Sequence, residues 1–231
     1  MTERTLAMIP ARLGSQRLKK KNLALLDGVP LIAHAVRRCV AAGCFSEIWV
    51  NTESDEIGSV AESEGARFHR RPAILADNKA TSEDFIAEFF EAHPCSLLVQ
   101  VHSIAPLLTA DEIGRFVNFC TRSDHDVVLS CVHDQIEVAY EDRPVNFTFD
   151  EKTNSQDLKP VQRITWAITA WRRAPFLDAV AAGRTATYSG SVGFYPLSPL
   201  SGHVIKTQAD LDIAAALLPL LMRANKEGHR G

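Results

Sequence analysis

From Thr5 to about residue 133, short aliphatic runs alternate with stretches of helical periodicity, and few folds accommodate that order. An apolar run too short for a helix reads as a buried strand, and the amphipathic stretch behind it covers one face of a sheet. Repetition of the unit predicts an α/β protein with a doubly wound, mainly parallel sheet. Strands are expected at about Thr5 to Ile9, Glu47 to Asn51, Ser96 to Val101 and Asp126 to Val132. Pro30 opens a helix with Ile32, Ala35, Val36, Cys39 and Val40 on one face, and Gly43 ends it. A further helix, about Ser82 to Ala92, carries Phe85, Ile86, Phe89 and Phe90, all expected in the core, and Pro94 prevents its continuation. Thr109 with Glu112 predicts a capping box before a helix that buries Ile113, Phe116 and Val117.

The pattern breaks between Gln135 and Arg163, where mixed polar sequence with Pro144 and Pro160 suits a hairpin or loop outside the main sheet. It resumes with Ile164 to Trp171, a short helix near Pro175 to Ala182, an apolar segment at Val192 to Leu197 and a last helix after Thr207, which Pro219 should kink or limit. No repeat or flexible linker divides the chain, so residues 1–231 are expected to form one domain with 135–163 as its excursion.

A hydrophobic fraction of 46% with 23% charged residues is that of a soluble globular protein, and a net charge of -3 argues against a nucleic-acid partner. The longest apolar runs, such as Ile213 to Met222, fall short of the ~20 residues a membrane span needs. With no leader pattern at the amino end, a cytoplasmic location is expected. Cys39, Cys44, Cys95, Cys120 and Cys131 lack C-x-x-C spacing and read as buried thiols. The histidines are scattered, and no zinc is assigned.

Against this background the run Ile9-Pro10-Ala11-Arg12-Leu13-Gly14-Ser15-Gln16-Arg17-Leu18-Lys19-Lys20-Lys21-Asn22 is unusual. It sets a glycine, a hydroxyl and five cationic side chains directly behind an apolar strand. A loop at the carboxyl edge of a parallel sheet can converge backbone N–H groups and cations on an anion, so the run outlines a polyphosphate cradle. Neither G-x-x-x-x-G-K-[ST] nor G-x-G-x-x-G occurs after this strand, which disfavours a P-loop ATPase and a Rossmann dehydrogenase.

The loop resembles the signature that opens the sugar-acid cytidylyltransferases, the CMP-sialic acid and CMP-Kdo synthetases. The resemblance continues through Leu23 to Leu31, Trp49 to Asp55, Arg71 to Ala76, Gln156 to Arg163 and Thr207 to Leu211, in order along most of the chain. It implies a Rossmann-like nucleotidyltransferase that transfers a cytidylyl group from CTP to an acidic 2-keto sugar, sialic acid-like or Kdo-like, with magnesium as cofactor. It also implies a homodimer built through the excursion. Residue by residue, Arg12 and Lys21 would hold the pyrophosphate part, supported by Ala11, Gly14, Ser15, Arg17 and Asn22, and Arg71 and Ser82 would face base or ribose. Gln100 would point to the sugar, with His102 beside it as a metal ligand, a base or simply a hydrogen-bonded structural residue. Arg163 suits the sugar carboxylate, or else forms a structural ion pair.

One departure matters. Where the family carries the magnesium-binding acid before the last helix, this chain has Val204-Ile205-Lys206-Thr207, and a charged ammonium has no lone pair for a metal. Asp210 is expected in the first-turn cap. Val101 to Pro106 also lacks the acid of the Kdo-type enzymes. No protein metal ligand is therefore assigned. Lys206 either supplies charge to the triphosphate or leaves magnesium to arrive on the nucleotide. The alternatives are a relative that binds nucleotide or sugar without turnover, and a nucleotidyltransferase with another base or acceptor.

Overall fold

Along the first strand, side chains point alternately to the two faces of a sheet, and both faces are dry. Ala7 and Ile9 join one buried cluster and Leu6 and Met8 the other. This is why β1 (Thr5–Pro10) lies inside the sheet and reads as unbroken apolar sequence. The computed structural model describes residues 4–15, 17–77 and 79–228. Gln16 of the basic loop lies outside them.

After β1 come a single 3-10 turn (Lys21–Leu23), a small hairpin of β2 (Leu25–Leu26) and β3 (Val29–Pro30), and α1 (Leu31–Ala42). Next follow β4 (Glu47–Thr52), α2 (Asp55–Ser63), β5 (Arg67–Arg70), α3 (Ser82–Ala92), β6 (Leu97–Val101), α4 (Ala110–Arg122) and β7 (Val127–Asp134). The excursion holds β8 (Ala139–Tyr140) and β9 (Arg143–Pro144), and β10 (Val161–Arg172), α5 (Arg173–Ala181), β11 (Val192–Pro196) and α6 (Gln208–Gly228) complete the chain.

The main sheet has the order β11-β7-β10-β6-β1-β4-β5. Parallel pairing joins β6, β1, β4 and β5, and also β11 with β7, whereas β10 runs antiparallel to both β6 and β7. The mainly parallel, doubly wound sheet thus carries one reversed strand. Helices α1, α2 and α4 cover one face through Ile32, Val36, Ile57, Ile113 and Phe116. The other face is covered by α3 and α5 through Ile86, Phe89, Phe90 and Phe176. A third cluster, with Leu26, Leu31, Leu107, Ile205 and Leu218, docks α6.

The expected caps form. Thr109 and Glu112 make a reciprocal capping box, and Gly43 ends α1 at φ 62°, a conformation that suits glycine. Among the elements not expected are α2 and β5. The strand Arg67-Phe68-His69-Arg70 is short, charged and at the sheet edge, so it lacks an aliphatic run. It is seated by close packing, since a Cβ at Gly58 of α2 would stand 2.7 Å from the Phe68 ring. The last helix continues through Pro219. Ala215, whose carbonyl loses its helical donor there, is exposed and open to water.

Strand β10 changes partner along its length. Residues 168–172 pair with β6, whereas 161–164 pair only with β7, and the register shifts between Ile164 and Thr169. Trp166 sits in that shift at φ 58°, as in a β-bulge, and packs against the second core cluster. Ser130 repairs the broken ladder: its hydroxyl bonds Thr165 Oγ1 at 2.9 Å and accepts from Ile168 N at 3.2 Å. In the excursion, Asn146 donates to the carbonyls of Ile136 and Lys159, both at 2.8 Å, and accepts from Val138 N at 2.9 Å.

Candidate active site

Strand order reverses at β1: the chain proceeds from β1 to β4 and β5 on one side, then crosses to β6 on the other. Loops at the carboxyl ends of β1 and β6 therefore part and leave a crevice. A cleft of about 320 Å³ occupies it. Its floor is the loop after β1, with Ala11, Arg12, Ser15, Arg17, Lys21 and Asn22; one bank is Arg71 and Phe85, the other His102, Ser103 and Ile104.

Hydrogen bonds fix the loop from below. Ala11 N donates to Asn51 O at 3.0 Å, and Leu13 N donates to Glu53 Oε1 at 2.8 Å. Buried Asn22 donates through Nδ2 to the Arg12 carbonyl at 2.8 Å and accepts from Ser103 Oγ at 2.6 Å. One amide thereby knits the first loop to the turn after β6. Lys20, in the left-handed conformation at φ 48°, turns the chain so that Lys21 enters the cleft.

The floor is short of negative charge. Lys21 is half-buried, and its pKa lies below the usual lysine value, because burial disfavours the ammonium and Arg17 and Arg12 repel it. Asp210 opposes that shift and Lys206 adds to it. Neither Lys21 nor Arg17 makes an ion pair among the described residues.

On the first bank, buried Arg71 donates through Nε to Asn51 Oδ1 at 2.6 Å and through Nη2 to Asn51 O at 2.9 Å. Its guanidinium lies over the Phe85 ring, 4.1 Å from the centroid. Burial lowers the Arg71 pKa to about 10, which leaves the group charged at neutral pH. Behind this pair a hollow of about 200 Å³ continues past Arg12, Leu75 and Asp77. Arg12 Nη1 donates to Asp77 O at 3.4 Å.

On the second bank, His102 bonds through Nε2 to the side-chain amide of Gln100. Burial, with the charge of Lys21 second, lowers the His102 pKa to about 4, so the imidazole is neutral. Gln100 is buried and does not line the main cleft, and its Oε1 has no hydrogen-bond partner among the described residues.

The cleft thus brings together Ala11, Arg12, Ser15, Arg17, Lys21, Asn22, Arg71 and His102. The other expected site residues lie elsewhere. Gly14 is exposed on the loop without lining the cleft. Ser82 is an exposed first-turn residue of α3, whose cap is Thr81 bonded reciprocally with Asp84, so Ser82 faces solvent. Arg163 is engaged by Asp134, with Nε to Oδ2 at 2.5 Å, the structural ion pair that competed with a substrate role. It lines a separate cleft of about 250 Å³ with His203, Lys206 and Asp210. Lys206 is therefore beside the main cleft and not on its surface. Ile205 N donates to Ile104 O at 2.7 Å and ties the Lys206 segment to the second bank.

Three contributors were missed or misjudged from sequence: Phe85, Asn51 and Ser103. Phe85 was expected in the core but is only half-buried, because it lines the cleft, where Arg71 lies over its ring. A polar Asn51 ending an aliphatic strand was the available signal for the second. For Ser103 no pattern in the sequence gave notice.

Among the described residues, the side chains beside the cleft offer a divalent ion no ready set of ligands. Asp210 Oδ2 already accepts from Lys206 N at 2.9 Å, Thr207 N at 2.8 Å and Thr207 Oγ1 at 2.9 Å, so it caps α6 as expected. Asp212 accepts from Gln208 Nε2 at 2.8 Å. Among the described residues no three of His, Cys, Asp and Glu converge for a metal.

Fold and crevice together define an α/β protein with a cationic cleft at the switch point of its sheet. A family model described as "Cytidylyltransferase" matches residues 6–195, and the chain belongs to that family. It is 33% identical over 127 residues to N-acylneuraminate cytidylyltransferase A of Danio rerio, which covers 54% of this chain and 30% of the relative. The chain thus spans under a third of that relative's length. Against the 3-deoxy-manno-octulosonate cytidylyltransferase of Anaeromyxobacter dehalogenans it is 28% identical over 214 residues, 92% of this chain and 77% of the relative. The solved structure of CMP:2-keto-3-deoxy-manno-octonic acid synthetase complexed with CTP superposes with a TM-score of 0.66 at 17% identity, covering 94% of this chain and 99% of that one. No helix among the described residues is long and apolar enough to cross a membrane.

Proposed function

We propose that this protein transfers the cytidylyl group of CTP to an acidic 2-keto sugar of the sialic acid or Kdo type. The observation that carries the reading is the cationic floor of the cleft, where half-buried Lys21 stands among Arg12 and Arg17 and makes no ion pair among the described residues. Crowding like charges at a partly desolvated position costs free energy, which a triphosphate offsets by neutralising them. In this reading the β- and γ-phosphates rest on Arg12, Arg17 and Lys21, and the nucleoside extends along Arg71 and Phe85. The acceptor enters beside His102. Its anomeric hydroxyl oxygen forms a new bond to the α-phosphorus, the α–β bridging P–O bond breaks, pyrophosphate leaves with that electron pair, and the hydroxyl proton passes to water. His102, with a pKa near 4, is a poor base, so its task is to hydrogen-bond the acceptor as a neutral ring. Charge neutralisation and positioning are the main demands of such a transfer.

The names of the relatives support CTP and an acidic sugar as substrates. Magnesium belongs to this proposal only as a companion of the triphosphate, since no three metal-ligating side chains converge among the described residues. A homodimer formed through the excursion, in a cytoplasmic setting, completes the proposal. It is supported by Ile136, Tyr140, Val145 and Phe149, which are all exposed on that one segment.

Calorimetric titration with CTP, followed by a pyrophosphate-release assay over sialic acid-like and Kdo-like acceptors, tests the assignment. Binding with acceptor-dependent release is expected. Binding without release from any sugar acid would favour a relative that has lost turnover, and absence of CTP binding would remove the assignment altogether. Lys21→Ala should raise the CTP Kd about ten- to a hundredfold, the worth of a charged hydrogen bond of ~1.5–3 kcal/mol.

A further inference from the structure

We infer that this chain neutralises the triphosphate with its own ammonium groups, Lys21 and Lys206, in place of a divalent ion fixed by side chains, so that tight nucleotide binding needs no free metal. The inference rests on the reading of the cleft as a CTP site and specifies how that site manages charge.

Two independent observations lead to it. The acid best placed to hold an ion beside the cleft, Asp210, has spent one carboxylate oxygen on three donors of the α6 cap. Withdrawing it would expose the first turn of a helix that buries Leu211, Ala214 and Leu218. The position that faces the second cleft is instead Lys206, an exposed side chain whose ammonium makes no ion pair among the described residues. Its backbone is fixed by two hydrogen bonds: Lys206 N to Asp210, and Ile205 N to Ile104 O on the cleft bank. A hydrogen-bonded segment thus presents an exposed ammonium beside the bank of the cationic cleft.

Physically, two ammonium groups carry the charge of one divalent ion, but they donate hydrogen bonds and do not impose octahedral coordination. They can follow the phosphates as the α–β bond lengthens. Their neutralising effect is also present before nucleotide binds, which makes metal-free CTP a competent ligand.

The test is calorimetry of the full chain with CTP and with CMP, each in excess EDTA and in millimolar magnesium. The expected result is a CTP Kd that differs by less than about threefold between the two conditions, under half the free energy of the tenfold loss expected on removing one fixed charge. Lys206→Ala should weaken CTP about tenfold and CMP less than about twofold, and Lys206→Arg should restore most of the loss, since either cation can pair with phosphate. The Lys206 side chain is exposed, and an unchanged melting temperature of each variant checks that the fold is kept. Strict dependence of CTP binding on magnesium would overturn the inference while leaving the proposed function standing. Equal weakening of CTP and CMP by Lys206→Ala would overturn the role of Lys206. Failure of every nucleotide to bind would remove the reading beneath it as well.

Discussion

Phe85 supports Arg71 from below: the guanidinium lies 4.1 Å from the ring centroid while Asn51 holds it edge-on through two acceptors. The ring and the amide fix one plane for the cation, so a planar ligand group meets it without reorganisation cost. Phe85→Leu retains an apolar side chain and removes the π face. It should raise the CTP Kd about three- to tenfold, in line with ~0.5–2 kcal/mol for a cation–π contact, with little change in melting temperature. Calorimetry on the variant checks this; an unchanged Kd would mean that Arg71 is held by Asn51 alone.

The Asn22–Ser103 contact joins the two loops that form the cleft. Ser103→Ala leaves buried Asn22 Oδ1 without its donor, which should cost ~1–3 kcal/mol of stability. Urea denaturation measures that loss. CTP affinity should fall in parallel, because the Arg12 carbonyl is fixed by the same amide.

Lys21 gives the site a pH signature. Its pKa in the free protein is below the ordinary lysine value, and a bound anion favours the charged form. As pH rises through that pKa the free protein loses the proton that binding requires, so CTP affinity should decline from neutral to alkaline pH. Lys21→Arg should flatten the curve, since a guanidinium stays protonated there. A wild-type Kd that holds constant from pH 7 to about pH 10 would contradict the assignment of Lys21 to the phosphates.

A second titration concerns the fold alone. His93 bonds His69 at 2.8 Å and stacks on Trp49, with ring centroids 3.9 Å apart. Burial first, then the neighbouring His69, lowers its pKa to about 4. The folded state therefore prefers the neutral ring, and its contribution to stability is complete above the ordinary histidine pKa of ~6.5. It is lost as pH falls from there toward about 4. His93→Phe should show a smaller drop in melting temperature between these limits than the wild type.

Arg163 offers a separable prediction. Its pair with Asp134 is largely exposed, with 53% of the Arg163 side chain accessible, so it contributes little to stability and can be exchanged for a ligand. If Arg163 takes the sugar carboxylate, Arg163→Lys should raise the acceptor KM about tenfold and leave the CTP Kd unchanged, because bidentate pairing is lost. Asp134→Ala should lower that KM.

The central strands were legible because burial on both faces leaves little but aliphatic residues to read, as in Leu6 to Ile9 and Leu97 to Val99. The capping box at Thr109 was legible because a helix start is written locally. What was hidden depends on packing between distant segments. Strand β5 is charged at the sheet edge and is held by Phe68 against Gly58. Phe85 follows a helical apolar pattern yet ends beneath Arg71, which only the tertiary fold brings to it. For the site, the cationic loop was plain in the order of residues. The positions of Arg163 and Lys206 in a neighbouring cleft follow from the path of β10 and from the Ile205–Ile104 bond, neither of which leaves a local pattern.

The left-handed Trp166 gives the protein latitude to diversify. Because the shift between Ile164 and Thr169 is absorbed there, residues added or removed upstream in the excursion need not disturb the ladder with β6 that supports His102. Divergence can thus remodel the excursion and leave the cationic cleft intact.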